Sequence, residues 1–273
     1  LPGFDFTAFY ARGGILGPLR DKNSLPMLTV QGFGDHQVAM NLAAGVLAAL
    51  FKAKMTGEGD HVVVSLFHSA IWDISLMLQA SQYGADSTQY PMERWKLGNP
   101  LVLCYETADG QWLQIAMPQY DRHYPILMNA MGYPELADDA RYYPQKNLIP
   151  NREEFSAWIT AEFKKKTCDE WCKLLDANDL PYAIAQEWDS LLEDKQAWAS
   201  DCFYEMSYSN GNKRTLVRPP VLFDQMGLPP YERGPYLGEQ TKDILGELGY
   251  SAEAIDELIK SGAAIDMDPA LRD

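Results

Sequence analysis

The sequence is short of positive charge. Its 273 residues carry 23 lysines and arginines against 38 aspartates and glutamates, a formal net charge of -15. Phosphate backbones are held by clustered Lys and Arg, so the charge balance argues against nucleic acid as a partner. An anionic membrane surface is disfavoured on the same ground, whereas a small anionic ligand needs only a few local cations. Cysteines are few: Cys104, Cys168, Cys172 and Cys202. The spacing of Cys168 and Cys172 fits a helix rather than a redox or zinc pair. In a chain of this length the four read as reduced thiols of a cytoplasmic protein. The histidines, His36, His61, His68 and His123, include no pair at a spacing such as HExxH. Walker A, GxSxG and Rossmann GxGxxG motifs are lacking too. The longest apolar run, Val38 to Phe51, is broken by Asn41 and is too short to span a bilayer. No secretory signal is expected. Neither a metal, nor a permanently bound cofactor, nor a membrane is expected.

What the sequence does have is apolar material. Hydrophobic residues are 47% and aromatics 12%, enough for a sizeable core in one large domain or two ordinary ones. Residues 36–54 read as a helix with Val38, Leu42, Leu47, Leu50 and Phe51 at helical spacing, and with small residues between them that suit close packing. HVVVSLF at 61–67 reads as a buried strand and 68–83 as a second helix. GADSTQYPMERWKLGNP at 84–100 lacks periodicity and reads as a linker or an active-site loop. LVLCYETADGQWLQIAM at 101–117 reads as a hairpin around Asp109-Gly110. Short amphipathic helices follow, including 151–166 behind an Asn151 cap and 168–178, then a strand at 181–185. A helix near 187–200, a Pro-rich extended passage and two terminal helices around Gly249 and Ser251 complete the chain. These elements divide it into 1–83, a linker at 84–96, a small α+β unit at 97–187 and a final segment at 188–273.

The stretch QGFGDHQVAMNLAAGVLAALFKAK, 31–54, raises the question of chemistry. Asp35 stands at the mouth of the apolar helix and is a good N-cap, a role worth about 1 kcal/mol. The same carboxylate is fixed in place behind a glycine turn. Gly32 and Gly34 admit close approach to the main chain, and free N–H groups there suit an oxyanion. The two readings are compatible. Stabilising the anion makes it a poorer nucleophile, so chemistry at Asp35 requires proximity and desolvation. Gly98-Asn99-Pro100, behind Arg94, Trp95 and Lys96, is either a linker or a mobile cover. Phe4, Phe6, Phe9, Tyr10, Phe33 and Trp95 either line an apolar pocket or belong to the core.

Four segments taken in order, PGFDFTAFYARGG, GFGDHQVAMNLAAGVLAALFKAKMTGEGDHVVVSLFHSA, YETADGQWLQIA and LGEQTKDILGELGYSAEAIDELIKSGA, resemble the family III CoA-transferases. That family includes formyl-CoA and carnitine CoA-transferases and alpha-methylacyl-CoA racemase. The first block is most similar to the (R)-2-hydroxyacyl and aryllactate transferases of amino-acid fermentation. The resemblance implies an α/β fold: a Rossmann-like large domain built from both chain ends, a small α+β domain between, and an interlocked homodimer. It implies CoA and acyl-CoA as substrates and Asp35 as the nucleophile of a ping-pong mechanism. Gly32, Phe33, Gly34, Phe4, Trp95, Gly98 and Asn99 are the expected substrate-binding residues. It also implies that about the first third of a family chain, with much of the nucleotide-binding surface, is missing ahead of LPGFDFTAFY.

Two departures favour transfer over proton exchange. The racemase has a His where this chain has Phe4, and a Glu after the hairpin where it reads AMPQYDRHY. Formyl-CoA transferase has a glycine run where only Gly98-Asn99-Pro100 stands. The alternatives are a racemase or isomerase on the same scaffold, and a non-catalytic subunit that binds acyl-CoA.

Overall fold

A computed structural model describes residues 3–84, 90–91, 93–208, 211–223, 227 and 231–267. The chain falls into two compact units, Leu1–Ala185 and Gln186–Asp273.

The first unit opens with a π-helical turn, Asp5–Ala11, and a loop that leads into α1 (Phe33–Thr56), α2 (Leu66–Asp73) and α3 (Ser75–Ala80). Helix α1 ends where Gly57 turns left-handed, φ +78°, and donates its N–H to the Ala53 carbonyl. The small residues do pack closely: a Cβ on Gly45 would lie 2.8 Å from Val62. The Asn41 amide crosses to the Ser69 hydroxyl on α2 at 2.9 Å. The strand expected at 61–67 does not form. Residues 61–65 run extended with no partner strand among the described residues, and Leu66 and Phe67 belong to α2. The Ser65 hydroxyl accepts the His68 N–H and starts the helix there. The helix expected at 68–83 is likewise divided, at Ile74.

One expectation about membranes needs correction. Helix α1 is longer than the apolar run, because it takes in Phe33–Gln37 and Lys52–Thr56, and it is long and apolar enough to cross a bilayer. Length and composition are all that this rests on, and core helices of globular proteins meet the same test.

The larger core of this unit draws on residues from Leu97 to Leu180. Strands β1 (Cys104–Glu106), β2 (Trp112–Ile115) and β3 (Tyr182–Ile184) form an antiparallel sheet in the order 1-2-3, with Tyr105 opposite Leu113 and Gln114 opposite Ala183. Leu113 and Ile115 face inward while Trp112 and Gln114 face out, the period-2 pattern of a half-covered sheet. Helices α4 (Tyr120–Met131), α5 (Gln145–Leu148), α6 (Arg152–Phe163) and α7 (Cys168–Ala177) share one core with this sheet, α6 lying against β1 and α7 against β3. The rings of Tyr105, Phe163 and Trp171 stack in sequence at 4.6 and 4.4 Å.

The hairpin turn is also a helix anchor. Gly110 takes φ +78°, and the Asp109 carboxylate accepts the Cys168 N–H at 3.1 Å, the first N–H of α7. Thr167 and Glu170 complete that end as a capping box. By contrast, Asn151 does not cap α6: its amide donates to the Arg141 and Asn147 carbonyls.

The second unit holds α8 (Trp188–Leu192) and α9 (Lys195–Ala199) where one helix was expected. Asp194 divides them by accepting the N–H groups of Gln196 and Ala197. An antiparallel hairpin, β4 (Phe203–Ser207) with β5 (Lys213–Val217), was not anticipated. Helices α10 (Thr241–Glu247) and α11 (Ala252–Lys260) follow, with Gly249 left-handed and the Ser251 hydroxyl accepting the Ala254 N–H, as expected. The architecture is α/β, but both described sheets are antiparallel. The parallel, Rossmann-like layer is not formed among the described residues.

The Asp109 carboxyl is held below the usual carboxylate range, first by the Thr107 hydroxyl and then by the Cys168 N–H, its own N–H and Gln111. A depressed folded-state pKa contributes stability above the unfolded value of about 3.9 and loses it as pH falls through the folded value. Wild type should therefore melt above Asp109→Asn near neutral pH, and the gap should close as pH falls below the unfolded value and through the lower folded one. A gap that stays constant over that range would mean that the carboxylate charge plays no part.

Candidate active site

The Gly-Phe-Gly-Asp stretch is built by the turn that precedes it in the chain. The Asp5 carboxylate, 6% exposed, accepts the Gly32 N–H at 2.8 Å with one oxygen and the Gly34 N–H at 3.1 Å with the other. The Tyr10 hydroxyl donates to the Val30 carbonyl at 3.1 Å. Phe9 and Tyr10 pack edge to face at 5.5 Å, and each lies 6.3 Å from the Phe33 ring. The loop entering α1 is thus held by a carboxylate, a phenol and a ring pair from one segment.

The glycines are needed for two different reasons. Gly32 sits at φ +81°, a conformation that other L-residues adopt only with strain. Gly34 is helical, but a Cβ there would come within 2.3 Å of Phe9 and 2.4 Å of the Asp5 carboxylate. The helix therefore begins at Phe33, with Gly32 as N-cap, and Asp35 is its third residue. Asp35 is not the cap that its position before the apolar run suggested. Its carboxylate is exposed and has no hydrogen-bond or ion-pair partner among the described residues. The N–H groups read as oxyanion donors are also partly engaged, since those of Gly32 and Gly34 are given to Asp5.

The remaining candidates separate. Phe4 and Phe33, 67% and 60% exposed, offer open apolar surface beside this turn, whereas Phe9 and Tyr10 are core. Trp95 is 48% exposed. It lies in a turn fixed by Glu93, whose carboxylate meets Lys22 at 2.5 Å and Lys96 at 2.6 Å. Next to it, Arg94 donates to the Cys104 carbonyl at 3.2 Å. A hollow of about 350 Å³ has Trp95, Trp112, Arg94 and Lys164 among its lining. Gly98 and Asn99 are engaged in the fold. The Gln145 amide donates to the Gly98 carbonyl, and Asn99 accepts the Leu101 N–H while donating to Met117. Within 84–100, read as a linker or an active-site loop, residues 85–89 and 92 lie outside the described residues. Asp5 was missed by sequence reasoning, although its position in Gly-Phe-Asp, ahead of aromatic residues, marked the segment.

Cys104 and Cys168 do not compete for the nucleophile's role. Burial pushes the Cys104 thiol above its ordinary range, and pushes Cys168 up to about 11, with Cys172 adding to the effect. Little thiolate forms at either near neutral pH.

Gly34→Ala should destabilise the protein by about 1–3 kcal/mol, the usual range for forced overpacking. Gly59→Ala, where nothing lies within 4 Å of the added methyl, is the matched control. Urea denaturation of the two variants checks this, and equal midpoints would contradict the close approach of Asp5 and Phe9.

Comparison with known proteins places this geometry. The chain is 46% identical to cinnamoyl-CoA:phenyllactate CoA-transferase of Clostridium sporogenes, over 95% of its own length and 63% of that protein. It is 38% identical to (R)-2-hydroxy-4-methylpentanoate CoA-transferase of Clostridioides difficile, over 93% and 63%. The chain thus spans a little under two thirds of these relatives. A CAIB/BAIF family protein from Brucella suis shares the fold with TM-score 0.72 at 22% identity, over 90% of this chain and 63% of that one. The family model for CoA-transferase family III matches residues 1–241. The chain belongs to CoA-transferase family III.

Proposed function

We propose that the protein moves CoA between an acyl-CoA and a carboxylic acid with Asp35 as covalent nucleophile. The observation that carries this is Asp35 itself: a carboxylate in the first turn of α1, unpartnered and exposed, on a turn that buried groups fix. The helix dipole favours a carboxylate at this place modestly, but no donor among the described residues fixes this one, which leaves it open to react.

The reaction balances without an added proton. An Asp35 oxygen attacks the thioester carbon, the C–S bond breaks, and a mixed aspartyl anhydride forms with CoA thiolate. The thiolate attacks the aspartyl carbonyl carbon and releases the donor acid as its carboxylate, leaving a CoA thioester on Asp35. The acceptor carboxylate attacks that thioester and expels the thiolate, giving a second anhydride. Attack of the thiolate on the acceptor's acyl carbon yields the new acyl-CoA and free Asp35. CoA is a substrate throughout and no resident cofactor is required.

The names of the two relatives support an acceptor that is an aryllactate or a branched (R)-2-hydroxy acid, with an enoyl- or aryl-acyl-CoA as donor. The exposed rings of Phe4 and Phe33, flanking Gly32 and Gly34, suit such a side chain. Trp95 is a further contact in this reading, while Gly98 and Asn99 act by fixing the loop. Phe4 has no proton to exchange, and the segment after the hairpin offers no Glu, which disfavours racemisation. The apolar outer surface of α1, with Leu47, Leu50, Phe51 and Met55 exposed, supports assembly as a homodimer. The partners proposed are the two substrates and a second copy, in the cytoplasm.

Incubation with cinnamoyl-CoA, trapping with hydroxylamine and peptide mapping should give a hydroxamate at Asp35 that requires the acyl-CoA. Asp35→Asn should lose at least about 10³-fold in turnover while its stability moves by no more than about 0.5 kcal/mol. Bound acyl-CoA with Asp35 unmodified would sink the proposal. A stability loss near 1 kcal/mol with activity retained would return Asp35 to a structural role.

A further inference from the structure

We infer that Asp5 is a positioning residue for Asp35, acting through the Gly32–Gly34 turn; the inference rests on Asp35 being the nucleophile. Both Asp5 oxygens are committed, one to the Gly32 N–H at 2.8 Å and one to the Gly34 N–H at 3.1 Å. A carboxylate can accept at both atoms at once, and no other side chain of that length can. Asparagine would keep one acceptor and present an N–H donor to the other amide, setting donor against donor. Glutamate would need room that Phe9 and Gly34 do not leave, since Gly34 already lacks space for a single methyl.

Asp5 is not itself a nucleophile. It is buried, and each of its oxygens accepts from the main chain. Its effect on the reaction is geometric. Gly32 is the N-cap of α1 and Asp35 is three residues on, so the direction of the Asp35 carboxylate follows the φ and ψ of Gly32, Phe33 and Gly34. The Tyr10 hydroxyl at Val30 and the Phe9–Phe33 contact hold the loop from either side of the carboxylate. Asp5 closes the segment between them. The same bonds decide which donors remain. With the Gly32 and Gly34 N–H groups given to Asp5, that of Phe33 directed to the Val30 carbonyl at 3.5 Å and that of His36 given to the Gly32 carbonyl, the amide of Asp35 is the donor left for an oxyanion at this helix start.

The test separates positioning from mere support of the fold. In a single-turnover experiment with cinnamoyl-CoA on the full-length protein, a structural defect lowers the amplitude of Asp35 labelling because fewer molecules are folded. A positioning defect lowers the rate constant. For Asp5→Asn the expectation is a rate constant reduced by about 10- to 100-fold, as displacement of a reacting group by about 1 Å would give, with amplitude largely kept and acyl-CoA affinity within about twofold. Amide exchange at Gly32 and Gly34, slow in the wild type, should quicken. If Asp5→Asn fails to fold, Gly32→Ala strains the same turn while keeping the Asp5 side chain, and its rate constant should fall likewise. A rate constant equal to wild type in the variant that folds overturns the inference while leaving Asp35 as nucleophile. No Asp35 adduct in the wild type overturns both.

Discussion

One carboxylate, buried and satisfied only by main-chain N–H groups, decides the geometry of the N-terminal segment. Asp5 ties together two stretches of chain far apart in sequence, and the price of burying a charge is met by donors that a helix start leaves over. That bond pair dictates the glycine at 34, because any side chain would occupy the space of Asp5 and Phe9. It dictates that the helix begins at Phe33 rather than at Asp35. It also leaves the Asp35 carboxylate without a hydrogen-bond donor among the described residues.

The catalytic candidate and the main core of its unit are built on different principles. The sheet of β1–β3 with α4–α7 is held by ring stacking and apolar burial, and its polar groups secure ends and turns, as Asp109 does for α7. Such a body tolerates change at many positions, since no single contact fixes its register. The Asp5–Asp35 segment has a small core of Phe9, Tyr10, Ile15 and Ala70. Its precision comes from directional bonds instead. Directional bonds hold a reacting group within a fraction of an ångström, which apolar packing does less well.

What was legible in the sequence was local. The Asp109-Gly110 hairpin, the Thr167 to Ala177 helix and the Gly249/Ser251 break between the last helices follow from turn and cap chemistry within a few residues. The failures required partners that a sequence does not show. HVVV has strand composition but finds no strand beside it among the described residues, and the Ser65 hydroxyl starts a helix instead. Asn151 has a cap's composition, yet two carbonyls from elsewhere claim its amide. The β4–β5 hairpin was readable in principle, because Asn210-Gly211 is a hairpin dipeptide between two β-prone runs. Asp35 was found by its glycine context and misassigned as a cap, because the residue that fixes the turn lies 30 positions away.

The proposed chemistry and the exposed surfaces make one demand. A mixed anhydride and an enzyme thioester both hydrolyse if water reaches them, and Asp35 stands exposed at the start of a helix whose outer face is apolar along much of its length. A surface that covers this face removes apolar area from water and, at its N-terminal end, also removes water from around Asp35. Burial of α1 and protection of the intermediate are then a single event. Under the proposed mechanism, the desolvation that would strengthen the carboxylate as a nucleophile would come from the same contacts that cover this face.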